Sequence, residues 1–198
     1  MLMKKSFWIV LAVCLFSVAI LAAPTNLALK KEYIFNIDAH TNYPDEGTKL
    51  TDGIYANVAY NDPNMLAHLR EDFRIVIIDL KDVYKIDKVY ANFLNSGGVG
   101  CYMPLLFSLA VSQDGKRWKI LDYQEYTEDD FPKVGDYVNK FEFKTKGEKA
   151  RYVALKFSTE IWVFMDEMEV IGDPDTKEPA PKGYSLGDID FEEIDFDF

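Results

Sequence analysis

The sequence predicts an all-β protein, a sandwich or jelly roll of antiparallel strands. Three observations lead to this prediction: runs with the composition of short strands follow one another, turn signals separate them, and helical periodicity is nearly absent. Aromatic residues make up 15% of the 198 residues, which suits the packing of sheets. Strands do not alternate with helices as they would in a parallel sheet, so an antiparallel architecture is expected.

The first 23 residues have the features of a secretory signal peptide. Lys4 and Lys5 precede an apolar run at 7–21, and Ala22-Ala23 ends the run with small residues. The run is short for a full membrane span, although an uncleaved anchor is the alternative. The stretch "LAVC" at 11–14 matches a lipoprotein signal poorly, because Val13 stands where a small residue is needed. We expect a secreted protein with no membrane span after cleavage.

Strand-like runs and turn signals then alternate through the middle of the chain. The predicted strands cover residues 74–80, 86–94, 106–111, 118–121, 139–143, 151–157 and 167–171, with turns at 81–82, 95–100, 114–115 and 146–147. Asp114-Gly115 lies between two apolar stretches and predicts a hairpin, because both residues tolerate positive φ. The one candidate helix, 64–71, follows Pro63 and could equally be an irregular loop.

The C-terminal part changes composition after Gly172. Residues 173–187 are rich in Pro, Gly and charge, which is typical of a linker. Residues 188–198, "DIDFEEIDFDF", alternate acidic with apolar residues, a pattern that fits either an added edge strand or a disordered tail. We expect disorder, because the acidic side chains repel one another and the rest of an acidic chain.

Charge and cysteine content exclude several classes of function. The net charge is −11, and it becomes more negative when Lys4 and Lys5 are removed, so nucleic acid is not an expected partner. Cys101 is the one cysteine left after Cys14 is removed with the signal, which excludes an internal disulfide. The two histidines, His40 and His68, form no motif with Cys101, and a catalytic signature is lacking.

Six motifs in order then resemble a known superfamily. They are "NLALKK" (26–31), "KLTDG" (49–53), "IVIIDL" (75–80), "VSQDGKRW" (111–118), "ARYVALKF" (150–157) and "DEMEVIG" (166–172). This series resembles the discoidin, or coagulation-factor type C, superfamily, which includes the family 32 carbohydrate-binding modules. The resemblance implies a galactose-binding-domain-like jelly-roll sandwich of about eight antiparallel strands over residues 24–172. Such domains are not catalytic and bind ligands through loops at one end.

The resemblance also implies a structural Ca²⁺ ion. It places the ion among the side chains of Asp52, Asn57 and Glu167 and the backbone carbonyls of Lys49, Ile54 and Asp166. The chemistry is reasonable, because Ca²⁺ takes six to eight hard oxygen ligands and mixes carboxylates with carbonyls. The alternative is that Asp52-Gly53 only makes a turn and that Glu167 faces water.

The expected ligand surface lies in the loops 36–46, 95–104 and 158–165. Stacking of a sugar on an aromatic ring, with polar groups around it, points to His40, Tyr43, Tyr102 and Trp162. For each of them, packing within the loops is the alternative. The predicted function is a secreted, noncatalytic module that binds carbohydrate or a cell-surface polysaccharide. The alternatives are an adhesion module that binds a protein partner through its tail, and the accessory part of a glycoside-active enzyme.

Overall fold

The computed structural model describes residues 23–70, 73–182 and 185–196. Apart from Ala23, the predicted signal peptide lies outside the described residues, and so does Cys14. Nine strands are present in the described part: β1 (Thr25–Asn26), β2 (Tyr33–Phe35), β3 (Leu66–Leu69), β4 (Phe73–Asn95), β5 (Leu106–Ser112), β6 (Lys119–Glu125), β7 (Tyr137–Lys144), β8 (Lys149–Ser158) and β9 (Trp162–Glu178). Their pairings are antiparallel, which confirms the predicted all-β class.

The strands form two leaves that share β4. Residues 73–79 of β4 pair with β8, whereas residues 88–95 pair with β7 and β9. The first leaf has the order β2-β4-β8-β5-β6, and the second contains β7, β4, β9, β1 and β3. The register shifts between Asp79 and Tyr84, where Lys81 has a φ of 75°. The turn predicted at 81–82 is therefore a corner within one long strand rather than a reversal of the chain.

The core lies between the two leaves and is built from phenylalanine. Phe93, on the second leaf, lies 5.5 Å from Phe107 and 5.2 Å from Phe157, both on the first leaf (ring centroids). Phe141 of the second leaf approaches Phe107 to 4.5 Å. All four side chains are buried. The two contacts of Phe93 are edge-on, and such contacts add to the stability that burial of the rings provides.

The hairpin predicted at Asp114-Gly115 joins β5 to β6. Gly115 has a φ of 76°, and its N–H donates to the Ser112 hydroxyl at 2.9 Å. The Asp114 carboxylate accepts from the backbone N–H groups of Lys116 (3.0 Å) and Arg117 (2.9 Å). Trp118 is half-buried and packs towards Tyr152, 6.4 Å between ring centroids. The Asp-Gly stretch therefore forms the turn of the β5–β6 hairpin, as predicted.

The candidate helix at 64–71 is wrong. Within it, β3 (Leu66–Leu69) pairs with β9, in a register that sets His68 opposite Val163. Met65, Leu66, Ala67 and His68 are all buried. A surface helix needs one polar face, whereas a strand that is covered on both sides buries both of its faces, so the burial of four consecutive residues favours the strand. No described residues form a helix long and apolar enough to cross a membrane.

The C-terminal region also differs from the prediction. Strand β9 continues past Gly172 to Glu178, which is paired with Val83, so the linker does not begin at 173. Residues 185–196, which we call the C-terminal strap, form two short 3₁₀ turns and bury Leu186, Ile189, Ile194 and Phe196. These side chains cover an apolar outer face of the first leaf, formed by Ile75, Ile77, Ala110, Tyr152 and Ala154. The strap is therefore neither an edge strand nor a disordered tail over its described residues.

Candidate functional site

Three loops meet at one end of the sandwich, and they are the three loops that the sequence indicated. The Tyr102 N–H donates to the Trp162 carbonyl at 3.0 Å, and the Trp162 N–H donates to the Gly100 carbonyl at 3.2 Å. The His40 ring packs edge-on against the Trp162 indole, with 4.9 Å between centroids. Backbone bonds and ring packing thus hold 36–46, 95–104 and 158–165 together.

A cleft of about 460 Å³ opens beside these loops. The Tyr102 side chain lines it and is 41% exposed. Phe131, Met103 and Ile161 add apolar side chains to the wall of the cleft. The polar lining residues are Asn95, Glu128, Lys133 and Glu160. An exposed aromatic ring and a few polar groups in a concave site are the usual features of a small-ligand site.

Local structure fixes the cleft walls. Gly97–Val99 form a 3₁₀ turn that ends at Gly100, whose φ of 76° favours glycine. On the other wall, Thr127 and Asp130 cap a second 3₁₀ turn reciprocally, with the Thr127 N–H donating to the Asp130 carboxylate at 2.7 Å. Phe131 follows this turn and packs 5.4 Å from Tyr126. The ring at the cleft is therefore anchored in the core rather than freely mobile.

Of the four predicted ligand residues, Tyr102 alone is among the residues that line the cleft. His40, Tyr43 and Trp162 form an aromatic cluster beside it, in which Tyr43 lies 5.5 Å from Trp162 and 4.6 Å from Phe164. All three are half-buried. The structure therefore shows them packing with one another and supporting the loop that carries Tyr102.

The sequence reasoning missed one wall of the cleft. Glu128, Phe131, Pro132 and Lys133 come from the segment between β6 and β7, which was not among the candidate loops. The signal in the sequence was "YTEDDFPK" (126–133), where two aromatic residues flank an acidic turn. That segment is close to the 95–104 loop in space because β7 pairs with the end of β4 that leads into the loop.

Two buried carboxylates lie next to the aromatic cluster, on β9. Asp166 and Glu167 are each 1% exposed. Asp166 Oδ2 accepts from the Ala56 N–H at 2.7 Å, and Glu167 Oε2 accepts from the Gly53 N–H at 3.1 Å. Asp166 Oδ1 and Glu167 Oε1 are buried and have no hydrogen-bond partner among the described residues. Buried carboxylate oxygens without partners are costly, so these two atoms call for a proton or a cation.

The pKa values of Asp166 and Glu167 lead to the same conclusion. Burial and, to a lesser extent, the negative charges of Asp52, Glu169 and Asp166 together raise the pKa of Glu167 to about 8, against the hydrogen bond from the Gly53 N–H. Burial also raises the pKa of Asp166, against the hydrogen bond from Ala56. A pair of this kind holds a proton in the absence of a counter-charge and would exchange that proton for a metal ion.

The other predicted metal ligands make contacts of their own. Asp52 Oδ1 accepts from the Ile54 N–H at 2.7 Å, which folds the loop back on itself. The Asn57 side chain donates to Asp62 at 2.7 Å, and the Lys49 ammonium donates to the Met65 carbonyl at 2.9 Å. Within the described ranges, His, Cys, Asp and Glu do not cluster in threes as a ready metal site. Backbone carbonyls would therefore have to complete any coordination.

Comparison with known proteins gave matches among solved structures alone. No protein-family model matches the sequence, and no curated protein does. The lectin domain of lectinolysin, complexed with Lewis B antigen, has a TM-score of 0.52 at 19% identity, over 74% of this chain and 95% of that one. Chitosan-binding module 1 of a chitosanase/glucanase from Paenibacillus sp. IK-5 has a TM-score of 0.54 at 17% identity, over 75% and 99%.

A fucose-binding module from Streptococcus pneumoniae is also similar, with a TM-score of 0.51 at 16% identity, over 76% of this chain and 96% of that one. Each similarity covers almost the whole of the compared module. They confirm the jelly-roll sandwich that the discoidin-like motif order predicted. At these identities the similarity concerns the fold, and the ligand has to be argued from the site itself.

Proposed function

We propose that this protein is a noncatalytic carbohydrate-binding module and that the cleft beside Tyr102 holds the sugar. The observation that carries the proposal is the 41% exposed Tyr102 ring, which lines a cleft of about 460 Å³ at the loop end of the sandwich. The apolar face of a pyranose stacks on such a ring, and polar groups around it bind the hydroxyls. Asn95 and Lys133 supply hydrogen-bond donors at the cleft.

The fold supports this class of ligand. The structures with the same architecture include a chitosan-binding module, a lectin domain complexed with Lewis B antigen and a fucose-binding module. We extend carbohydrate binding, without catalysis, from these modules to this chain. The predicted signal peptide adds secretion to the proposal, with a cell-surface polysaccharide as the natural target. The same site would also suit a module that is the accessory part of a glycoside-active enzyme.

We also propose that Ca²⁺ stabilises the loop that packs against the aromatic cluster. The residues present fit the ion, because Asp166 and Glu167 each offer a buried carboxylate oxygen without a partner in the described chain. Asp52 and the carbonyls of Lys49, Ile54 and Asp166 would complete the oxygen ligands. The Asn57 amide is engaged by Asp62 and is the weakest member of the predicted set. Ala56 connects the two regions, because its N–H binds Asp166 and its side chain packs in the cluster with Tyr43 and Trp162.

A glycan array tests the proposed function, with the full chain applied once in Ca²⁺ and once in EDTA. We expect binding to a defined set of glycans, and weaker binding in EDTA because the supporting loop loses order. Tyr102→Ala should abolish binding. Tyr123→Ala is the matched control, because Tyr123 is 42% exposed on β6 and does not line the cleft. Absence of binding in both conditions, or full binding by Tyr102→Ala, would refute the assignment.

A protein partner recognised through the tail stays a prediction. The apolar side chains of the C-terminal strap are buried on the first leaf, so a partner would meet its acidic side chains. Deletion of residues 176–198 tests this alternative in a capture experiment with a basic partner protein. However, the deletion also removes the end of β9, so Ile189→Ala is needed as a comparison that keeps the acidic residues. Equal capture by the deletion variant would exclude the tail as the contact.

A further inference from the structure

We infer that two copies of this chain exchange their C-terminal straps, so that the strap of each copy docks on the first leaf of the other. The exchange uses a surface that the proposed sugar site does not include, and its test is separate from that of the sugar site. The docked strap itself shows what fits the outer face of the first leaf. Because every copy carries the same strap and the same face, two copies can offer each other both halves of one interface.

The strap binds the sandwich through side chains. Its described backbone hydrogen bonds close within the strap, such as those from the Asp188 N–H to the Ser185 carbonyl (3.0 Å) and from the Ile194 N–H to the Phe191 carbonyl (3.4 Å). The Ser185 hydroxyl donates to the Asp188 carboxylate at 2.7 Å. A departing strap therefore leaves no described strand of the sandwich without its pairing partner, and it can dock on a second copy with the same contacts.

Buried apolar anchors alternate with exposed acidic residues along the strap. Each anchor is at most 9% exposed, whereas the acidic side chains face solvent. The contact is therefore apolar, and the charges of the strap play no part in its fit to the face. The anchors are Leu186, Ile189, Ile194 and Phe196, and the exposed acidic residues are Asp188, Asp190, Glu192, Glu193 and Asp195.

Two polar atoms on the covered face have no hydrogen-bond partner among the described residues. They are Ser108 Oγ and Trp118 Nε1, and both are buried. Ser108 is in register with Lys156 and lies on the same face of β5 as Ala110, while Trp118 packs against the residues that the strap covers. Buried polar atoms without partners cost free energy, and so does ordering the strap. These costs offset much of what the apolar anchors contribute, so the strap can leave the face.

The connector that precedes the strap lies at the end of the sandwich opposite the cleft. Residues 179–184 link β9 to the strap, and Pro179 and Pro181 are exposed. Pro181 lines a cavity of about 330 Å³ together with Asp114 of the β5–β6 hairpin. Strand β5 leads from Leu105, which lines the cleft, to this hairpin. Exchange through the connector would therefore leave both clefts open and join them in one dimer.

The connector also sets the concentration at which exchange occurs. A short flexible connector holds its own strap at an effective concentration in about the millimolar range, so sedimentation of the wild-type chain should show a monomer at about 10 µM and dimers near about 1 mM. Deleting residues 179–182 shortens the reach of the connector by roughly 14 Å and should give a dimer already at the lower concentration. Replacing the same residues by an equal number of Gly and Ser is the control, which should behave as the wild type does.

Two full-length variants that complement each other identify the exchanged contact. Ile194→Asp damages the strap and keeps the face, whereas Ala154→Glu damages the face and keeps the strap. Ala154 lies on the outer face, away from the phenylalanine core, so the sandwich should still fold. A mixture of the two should form a one-to-one dimer, and the Ile194→Asp chain should then bind less of a dye for apolar surface. A chain with both substitutions is the control, because it has no intact strap to offer.

The outcomes separate exchange from a strap that only covers its own sandwich. Circular dichroism first establishes that each variant is folded, and if Ala154→Glu does not fold, the shortened connector decides the question alone. High salt should strengthen the complementing dimer, because it screens the repulsion between two chains of net charge −11 and leaves the apolar contact intact. A mixture with no more dimer than the control, a shortened chain that stays monomeric, or a dimer that salt dissociates would each overturn the inference.

Discussion

Asp79 and Arg151 form a paired charge at the corner of β4. Arg151 Nε and an η nitrogen donate to the two Asp79 carboxylate oxygens at 2.8 and 2.9 Å, and Asp79 is 1% exposed. Burial alone would raise the pKa of Asp79, but the hydrogen bonds from Arg151 and the Lys81 N–H outweigh it and hold the pKa below its ordinary value. The "RYV" stretch at 151–153, noted in the sequence as part of a motif, therefore has a structural role.

Arg151→Leu should destabilise the protein by about 3 kcal/mol, because the buried Asp79 charge loses both hydrogen bonds from Arg151 and keeps Lys81 alone beside it. Urea unfolding measures this loss. Asp79→Asn combined with Arg151→Leu should recover part of the stability, since the double variant removes the unpaired charge. If the single and double variants unfold at the same urea concentration, the pair does not contribute in this way.

The burial of His68 predicts that the folded protein loses stability as the pH falls. Its ring is 1% exposed and lies 4.6 Å from Phe35. Burial and, to a lesser extent, the positive charge of Arg74 together lower the pKa of His68 to about 3. In the unfolded chain the pKa is 6.5, so between pH 6.5 and 3 the unfolded state binds a proton that the folded state does not. The contribution of neutral His68 is therefore complete above pH 6.5 and is lost as the pH falls.

His68→Leu should remove this dependence. From pH 6 to pH 4 the free energy of unfolding of the wild-type chain should fall more steeply than that of the variant, by up to about 1.4 kcal/mol per pH unit. Chemical unfolding at a series of pH values measures both slopes. The substitution can also change the stability at pH 7, but this does not affect the comparison of the two slopes. Parallel slopes would exclude His68 as the cause of the pH dependence.

The variant Glu167→Gln tests the proposed Ca²⁺ site. An ion that binds the folded state alone raises stability by about 2.7 kcal/mol at a hundredfold excess over its Kd, which corresponds to about 5–10 °C in Tm for a chain of this size. Ca²⁺ should raise the Tm of the wild-type chain by this order and leave Glu167→Gln unaffected. Glu125→Gln, on the exposed strand β6, is the control that should respond as the wild type does. Equal responses of all three proteins would argue against the site.

At the scale of elements, the strands were predictable where apolar runs were flanked by turn residues. The hairpin of β5 and β6 is the clearest case, because Asp114 and Gly115 bring the chain back within a few residues. The corner of β4 was mistaken for a reversal, because Lys81-Asp82 has the composition of a turn whether the strand bends or reverses. The choice depends on which strands pair on each side, and local sequence does not contain that information.

The site follows the same rule. Asp166 and Glu167 were chosen as candidates because they lie in a motif, and Tyr102 because glycines mark its loop; their roles stay predictions. His40, Tyr43 and Trp162 were assigned to the ligand surface, although the structure packs them together. Aromatic residues in a loop have the same sequence pattern whether they face solvent or one another. Only the long-range contacts between the loops decide between the two.

The C-terminal strap was missed for a related reason. Its acidic residues led to a prediction of disorder, because the rest of the chain is acidic too and would repel them. The contact that holds it is apolar instead: Ile189 lies against Gly115 and Tyr152, and the ring of Phe196 lies 5.5 Å from the Lys156 ammonium. Its backbone hydrogen bonds close within the strap, as from the Asp188 N–H to the Ser185 carbonyl. Side chains rather than strand pairing therefore hold it in place.

Ile194→Asp should release the strap without unfolding the sandwich. The buried aspartate would cost more than the docking of the strap contributes, so the strap detaches and the loss in Tm stays at a few degrees. Detachment exposes the apolar face around Ile75, Ile77 and Ala154, so dye binding to apolar surface and self-association should both increase. Asp195→Asn, at an exposed neighbouring position, is the control. A large loss of Tm without dye binding would show that the strap is an integral part of the core.

At the scale of the whole molecule, β4 makes the two leaves interdependent. The strand contributes residues 73–79 to the first leaf and residues 88–95 to the second, and the phenylalanines of both leaves pack against one another. Neither leaf can lose its strands without exposing the apolar face of the other. A shared strand and a shared core predict a single cooperative unfolding transition.

Two tryptophans report on the two ends of this arrangement. Trp118 lies at the β5–β6 hairpin of the first leaf, and Trp162 lies at the start of β9 in the second leaf, beside the cleft. In a chain with Trp8→Phe, the further changes Trp118→Phe and Trp162→Phe give two proteins with one reporter each. Their thermal unfolding curves, each compared with circular dichroism of the same protein, should show fluorescence and β-structure lost at one midpoint. Fluorescence of Trp162 lost several degrees before the β-structure would show instead that the binding end opens independently, and a sugar ligand should then raise that first midpoint alone.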